Sequence, residues 1–97
     1  MNLENRTILV TGAGGGIGAA IALKAAACGA AVVAADIRLD AAQQTVAAIT
    51  KAGAQALAVQ LDIAQAPSWQ NAVAAALDWR GSVDGLVTAA VLSGLVL

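Results

Sequence analysis

The sequence predicts an α/β fold in which parallel strands alternate with crossover helices. Three observations lead there. Short apolar runs rich in β-branched residues alternate along the chain with segments of helical period. The first run ends on a glycine-rich turn, reading Thr-Gly-Ala-Gly-Gly-Gly-Ile-Gly from Thr11 to Gly18, and the second ends on an acid, Asp36. Alternation of this kind implies a parallel sheet joined by right-handed crossovers.

Each element follows in order. Thr7 to Thr11 is a short apolar run that reads as a buried first strand. From Ile17 the period becomes helical, with Ile17, Ala20, Ile21, Ala25 and Cys28 on one expected inner face, and Gly29 stands where a helix ends. Ala30 to Ala35 is an unbroken apolar run ending at Asp36, as suits a strand covered on both faces. Asp40 is the expected N-cap of a second helix, with Gln43 in the capping-box position. Ala42, Val46 and Ile49 form that helix's apolar face, and Gly53 closes it. Ala56 to Leu61 reads as a third strand with Leu57, Val59 and Leu61 on one face, followed by Asp62. Pro67 fits the first turn of a third helix, whose expected inner face is Trp69, Val73, Ala76 and Leu77. Gly81 breaks it, and Val83 to Thr88 reads as the fourth strand.

Composition bounds the function. Of 97 residues, 60% are hydrophobic, which exceeds the usual ~45–50% and excludes a disordered chain. That excess in so small a unit points to apolar surface that meets another chain. The net charge is −1 with no basic run, so nucleic acid is not an expected partner. A lone Cys28 and a polar start, Met1 to Arg6, give a cytoplasmic expectation. The longest uncharged run, Gly85 to Leu97, falls short of the ~20 residues of a membrane span. These residues contain no His and no Tyr and only one Cys, so no metal site and no Ser-His-Asp device is expected among them.

The glycine turn carries the chemistry. Gly12, Gly14, Gly15, Gly16 and Gly18 lie between a strand and a helix, where glycine allows a tight turn and close backbone approach to a pyrophosphate. The N–H groups and dipole at the start of the helix favour the phosphate charge. Ile17 reads as a core anchor and Gly18 as the point of close helix–strand packing. Asp36 stands eighteen positions after Gly18, where a Rossmann-type fingerprint places an acid on the adenosine ribose, with Ile37 beside it. A carboxylate there repels a 2′-phosphate, so NAD is expected over NADP, although Arg38 lies close by. Asp62 stands at a similar strand end, able to accept from the adenine amino group while Ile63 covers the ring. Cys28 reads as a small core residue and Asp84 as structural.

Together these residues resemble the short-chain dehydrogenase/reductase family. Thr11-Gly12-x-x-x-Gly16-Ile17-Gly18 matches its Thr-Gly-x-x-x-Gly-x-Gly, Asp36 is similar to the ribose-binding acid of its NAD-preferring members, and Asp62-Ile63 is similar to its adenine-contacting Asp-Val pair. Val83-Asp84-Gly85-Leu86-Val87 looks like its lead-in to strand 4. The resemblance implies a truncated Rossmann-type fold: a single partial dinucleotide-binding domain over 1–97, with four parallel strands in order 3-2-1-4 and three crossover helices. Where the family has Asn-Asn-Ala-Gly after strand 4, this chain has Thr88-Ala89-Ala90-Val91, and only Ala90 matches. In the family a Ser and a Tyr-x-x-x-Lys, further along a longer chain, perform the proton transfer; no catalytic residue carries over here.

The leading expectation is thus a truncated or minimal dehydrogenase with an NAD-type motif and no turnover of its own. The residues leave two others open. One is a non-enzymatic nucleotide-binding or assembly module. The other is a weak hydrolase at a dimer cleft, drawing on Ser68, Ser82, Ser93, Thr88, Lys24, Lys51 or the aspartates. The expected partner is a second copy, through strand 4, the half-covered sheet face and the apolar tail Val91 to Leu97.

Overall fold

The computed structural model describes residues 2–89. Seven elements follow one another: β1 (Thr7–Thr11), α1 (Gly16–Ala27), β2 (Ala31–Asp36), α2 (Leu39–Lys51), β3 (Ala56–Gln60), α3 (Ala66–Arg80) and β4 (Gly85–Thr88). The strands are all parallel, in the order β3-β2-β1-β4. The expected alternation and strand order are both found. Ala90 and the tail from Val91 to Leu97 lie outside the described residues.

The sheet separates two cores. Side chains alternate across a strand, so Val10, Val32 and Ala34 face α1 and α2, packing with Ala22, Ala25, Ala26, Ala42 and Ile49. Leu9, Val33, Ala35 and Val59 face α3, with Leu61, Ala72 and Ala76. β2 is covered on both faces, which explains its unbroken apolar run. β4 is different: among the described residues it has one hydrogen-bonded neighbour, β1, and its Leu86, opposite Leu9, is 56% exposed.

Three expectations need correction. The inner face of α1 is Gly18, Ala22, Ala25 and Ala26, whereas Ile17 is 76% exposed and Ala20 is also exposed. Ile17 is therefore no core anchor. The reason is steric: α1 lies so close to the turn at Gly18 that only small side chains fit beneath it. Ile17 and Leu23 turn outward, while Ile21 is half-buried against this core as expected; Leu3, Ile17, Ala20, Ile21, Lys24, Ala25 and Cys28 line an open apolar groove. Cys28 is accordingly half-buried at the C-cap of α1, not in a core.

α2 begins one residue before the expected cap. Asp36 Oδ1 accepts the Arg38 N–H at 2.9 Å, and the Arg38 carbonyl then accepts the N–H groups of Ala41 and Ala42. That turn starts the helix from Arg38, leaving Asp40 inside its first turn, where a carboxylate favours the dipole without capping. On α3, Trp69 and Ala76 face the core as expected, but Val73 and Leu77 are 37% and 45% exposed. Ala72, Ala75 and Trp79 take the inner positions instead. Smaller shifts occur at strand ends: β3 stops before Leu61, which is still buried, and β4 starts at Gly85.

Candidate nucleotide-binding site

All four strands are parallel, so their carboxyl ends lie along one edge of the sheet. The glycine turn leaves β1 there, the Asp36–Arg38 loop leaves β2, and the Leu61–Gln65 loop leaves β3. The strand order reverses between β1 and β4, and the crevice outside such a switch point is where open α/β sheets bind ligands.

The turn is built on backbone sterics. Gly12 and Gly16 have φ of 65° and 55°, in the left-handed region that side chains resist. At Gly18 an added Cβ would collide with the Gly12 carbonyl, so the first turn of α1 rests directly on the loop it leaves. At Gly14 it would stand 2.6 Å from Ala41 Cβ and 2.8 Å from Asp36 Oδ2. Gly15 is unlike these. Its φ is −177°, ordinary extended backbone, and an added Cβ would meet nothing within 4 Å.

Gly15 is also the N-cap of α1, with no side-chain cap and no acidic residue in the first turn. The first N–H groups of a helix have no intrahelical acceptor, and together with the dipole they present a partial positive charge. Here that positive end opens through a glycine with free space before it. The cradle therefore suits the anionic pyrophosphate of a dinucleotide.

Asp36 is tied to the turn. Its Oδ2 accepts the Gly14 N–H at 2.9 Å, while Oδ1 takes the Arg38 N–H. Each carboxylate oxygen has a second lone pair, so both can still accept from ribose hydroxyls. Ile37 beside it is 58% exposed, and Gln60 Nε2 donates to the Ile37 carbonyl at 3.1 Å, fixing the loop. Asp62 Oδ1 accepts the Ala64 N–H at 3.0 Å, and Ile63 is half-buried. Gly12, Gly14, Gly15, Gly16, Gly18, Asp36, Ile37, Asp62 and Ile63 thus share one edge of the molecule. Ala90 lies outside the described residues.

The supporting roles of several residues escaped the sequence reading. Thr45 on α2 is buried and donates its hydroxyl to the Ala13 carbonyl at 2.7 Å, and the Ala13 N–H donates to the Ala35 carbonyl at 3.0 Å. The signal was a lone threonine within the apolar stripe of Ala42, Val46 and Ile49. Thr11, fully buried, accepts the Ala89 N–H at 3.2 Å and holds the end of β4 to β1. Ser68 accepts the Asp62 N–H at 2.8 Å, and Trp69 Nε1 donates to the Ile63 carbonyl at 2.9 Å. Ser82 stands 3.4 Å from Asp84 at the opposite end of the sheet, where Asp84 also accepts the Thr7 N–H and faces Arg6 at 3.8 Å. Asp84 is structural, as its position implied. Among the described residues there is no metal-ligating cluster, and no helix is long and apolar enough to cross a membrane.

Residues 6–96 match the short chain dehydrogenase family. The chain belongs to the short-chain dehydrogenase/reductase family. It is 40% identical over 94 residues to 2,5-dichloro-2,5-cyclohexadiene-1,4-diol dehydrogenase LinX of Sphingobium indicum, covering 97% of this chain and 36% of that protein. It is 39% identical to the short-chain dehydrogenase/reductase homolog YusS of Bacillus subtilis, covering 96% of this chain and 86% of that protein. Among solved structures, a hydroxysteroid dehydrogenase from Escherichia coli superposes with a TM-score of 0.88 at 39% identity. That match covers 90% of this chain and 37% of the other. This member of the family thus spans about a third of the length of LinX and most of the length of YusS. The match corresponds to the N-terminal, cofactor-binding part of the dehydrogenases.

The steric contrast within the turn gives a direct test. Gly18→Ala should unfold the chain or cost at least about 2 kcal/mol in urea denaturation, because a backbone carbonyl cannot move aside cheaply. Gly15→Ala should change stability by less than about 1 kcal/mol in either direction, since alanine restricts the unfolded chain but is the poorer N-cap. Equal losses for the two variants would contradict the geometry.

Proposed function

We propose that this chain binds the adenosine and pyrophosphate of NAD at the β1–α1 turn. The observation that carries the reading is the uncapped start of α1, where Gly15 leaves the first N–H groups without a side-chain cap or an acidic residue and with open space ahead. Those N–H groups and the helix dipole favour a closely approaching anion.

In this reading the amides of Gly16, Ile17 and Gly18 hold the pyrophosphate, and Gly12 and Gly14 shape the loop beneath it. Asp36 accepts from the adenosine ribose, and its charge disfavours a 2′-phosphate. Ile37 and Ile63 are apolar walls for the adenine, and Asp62 accepts from its amino group. Ala90 belongs to the same site by its match to the family motif. When bound, NAD supplies a hydride acceptor. LinX and the Escherichia coli hydroxysteroid dehydrogenase are dehydrogenases by name, yet the family's acid/base is a Tyr and these 97 residues contain none. A missing positioned acid/base costs ~10²–10⁴-fold, so we infer binding without appreciable alcohol oxidation by this chain alone. Calorimetric titration with NAD should show one site per chain, weakened roughly tenfold by Gly15→Asp, whose carboxylate caps the helix start in place of the anion. Undiminished binding by that variant, or none by the wild-type chain, would overturn the reading.

A second reading concerns assembly, and the apolar groove on α1 favours it. Among the described residues β4 has a neighbour on one side only, Leu86 is 56% exposed, and the groove of about 500 Å³ holds Leu3, Ile17 and Ile21. An edge strand beside uncovered apolar surface is a template for association. We infer that two copies meet through β4 and these faces. Light scattering at micromolar concentration should give the mass of a dimer, and Ile17→Asp with Leu86→Lys should give a monomer. A wild-type monomer at that concentration would contradict it.

A further inference from the structure

Coenzyme choice at this site depends on more than Asp36. Arg38 is the only cation between Lys24 and Lys51, so it is the one group on this stretch able to neutralise a 2′-phosphate. Its backbone is fixed near the ribose position, because its N–H donates to Asp36 Oδ1 at 2.9 Å and Gln60 holds the adjoining Ile37 carbonyl. Its guanidinium, however, lies toward α2, with Nη2 at 3.5 Å from Asp40 Oδ2. Asp40 sits in the first turn of α2, where the helix dipole favours a carboxylate. We propose that Asp40 is a positioning residue for coenzyme selection: by pairing with Arg38 it withholds that guanidinium from a 2′-phosphate and so reinforces the preference for NAD.

The charges make the effect one-sided. A 2′-phosphate would meet the carboxylates of Asp36 and Asp40 and a single guanidinium already engaged by one of them. The 2′-hydroxyl of NAD needs only an acceptor, which Asp36 supplies. Removing Asp40 therefore frees Arg38 for NADP and leaves NAD unaffected. Both partners are well exposed, at 73% and 70%, so the gain is that of a surface ion pair, roughly two- to fivefold.

The inference rests on the adenosine site proposed above, and its test separates the two. Dissociation constants for NAD and NADP are measured by calorimetry on the full chain, on Asp40→Asn, on Arg38→Gln and on the double variant. Asp40→Asn should tighten NADP by about two- to fivefold and change NAD by less than about 1.5-fold. The gain should vanish in the Arg38→Gln background, and Asp40→Glu, which keeps the pair, should behave as wild type. A merely structural role for Asp40 would weaken both coenzymes together. If NAD binds and Asp40→Asn gives NADP no advantage, the positioning role is overturned while the site stands. A gain that persists without Arg38 also overturns it, because simple relief of repulsion then accounts for the change. A wild-type chain that binds neither coenzyme overturns the site and this inference with it.

Discussion

The contact between Gly18 and the Gly12 carbonyl governs how the rest of the chain is arranged. A helix that begins by resting on the backbone of its own loop can approach the sheet only with small residues beneath it. Gly18, Ala22, Ala25 and Ala26 supply them. The same contact aims the first turn of α1, with its unsatisfied N–H groups, at the space outside the carboxyl end of β1. Two braces hold the loop in that position. Asp36 accepts from Gly14 across the end of β2, and Thr45 reaches over from α2 to the Ala13 carbonyl. Turn, acid and second helix are therefore one mechanical unit, and the anion cradle follows from its packing.

Legibility in the sequence followed the strength of the local signal. β1 was read to the residue, because a β-branched run between Arg6 and the glycines has no other good conformation. The apolar face of α2 was legible because polar residues mark its other side. The face of α1 was not. Nearly every position in it is Ala, Ile, Leu or Gly, so periodicity selects no side, and what decides its rotation is the distant fit of Gly18 against Gly12. The alanine-rich α3 failed for the same reason at Val73 and Leu77. The cap of α2 failed differently: Asp36 orders Arg38 from outside the helix, an interaction that capping rules for Asp40 do not contain.

The candidate site divides similarly. Its glycines and Asp36 were legible because their spacing reports a backbone requirement. The bracing roles of Thr11, Thr45 and Gln60 were not, since each acts through a partner remote in sequence; those of Ser68 and Trp69 depend on how the loop before α3 folds back on its first turn. The sheet that carries the site is also unevenly finished. β2 is buried on both faces, while among the described residues β4 has an unpaired edge and α1 an open apolar flank. The relatives that extend well past this match have more chain with which to cover such surface; here a second copy is the proposed cover.

The account's central claim is that a dinucleotide lies against the uncapped start of α1. Amide chemical shifts of the ¹⁵N-labelled chain, followed as NAD is added, test it most directly. The account predicts the largest changes at Gly14 to Gly18 and Asp36 to Arg38. Amides at the opposite end, in the cleft lined by Glu4, Gly29, Gly53 and Arg80, should stay in place. Changes concentrated in that cleft, with the glycine turn unmoved, would contradict it.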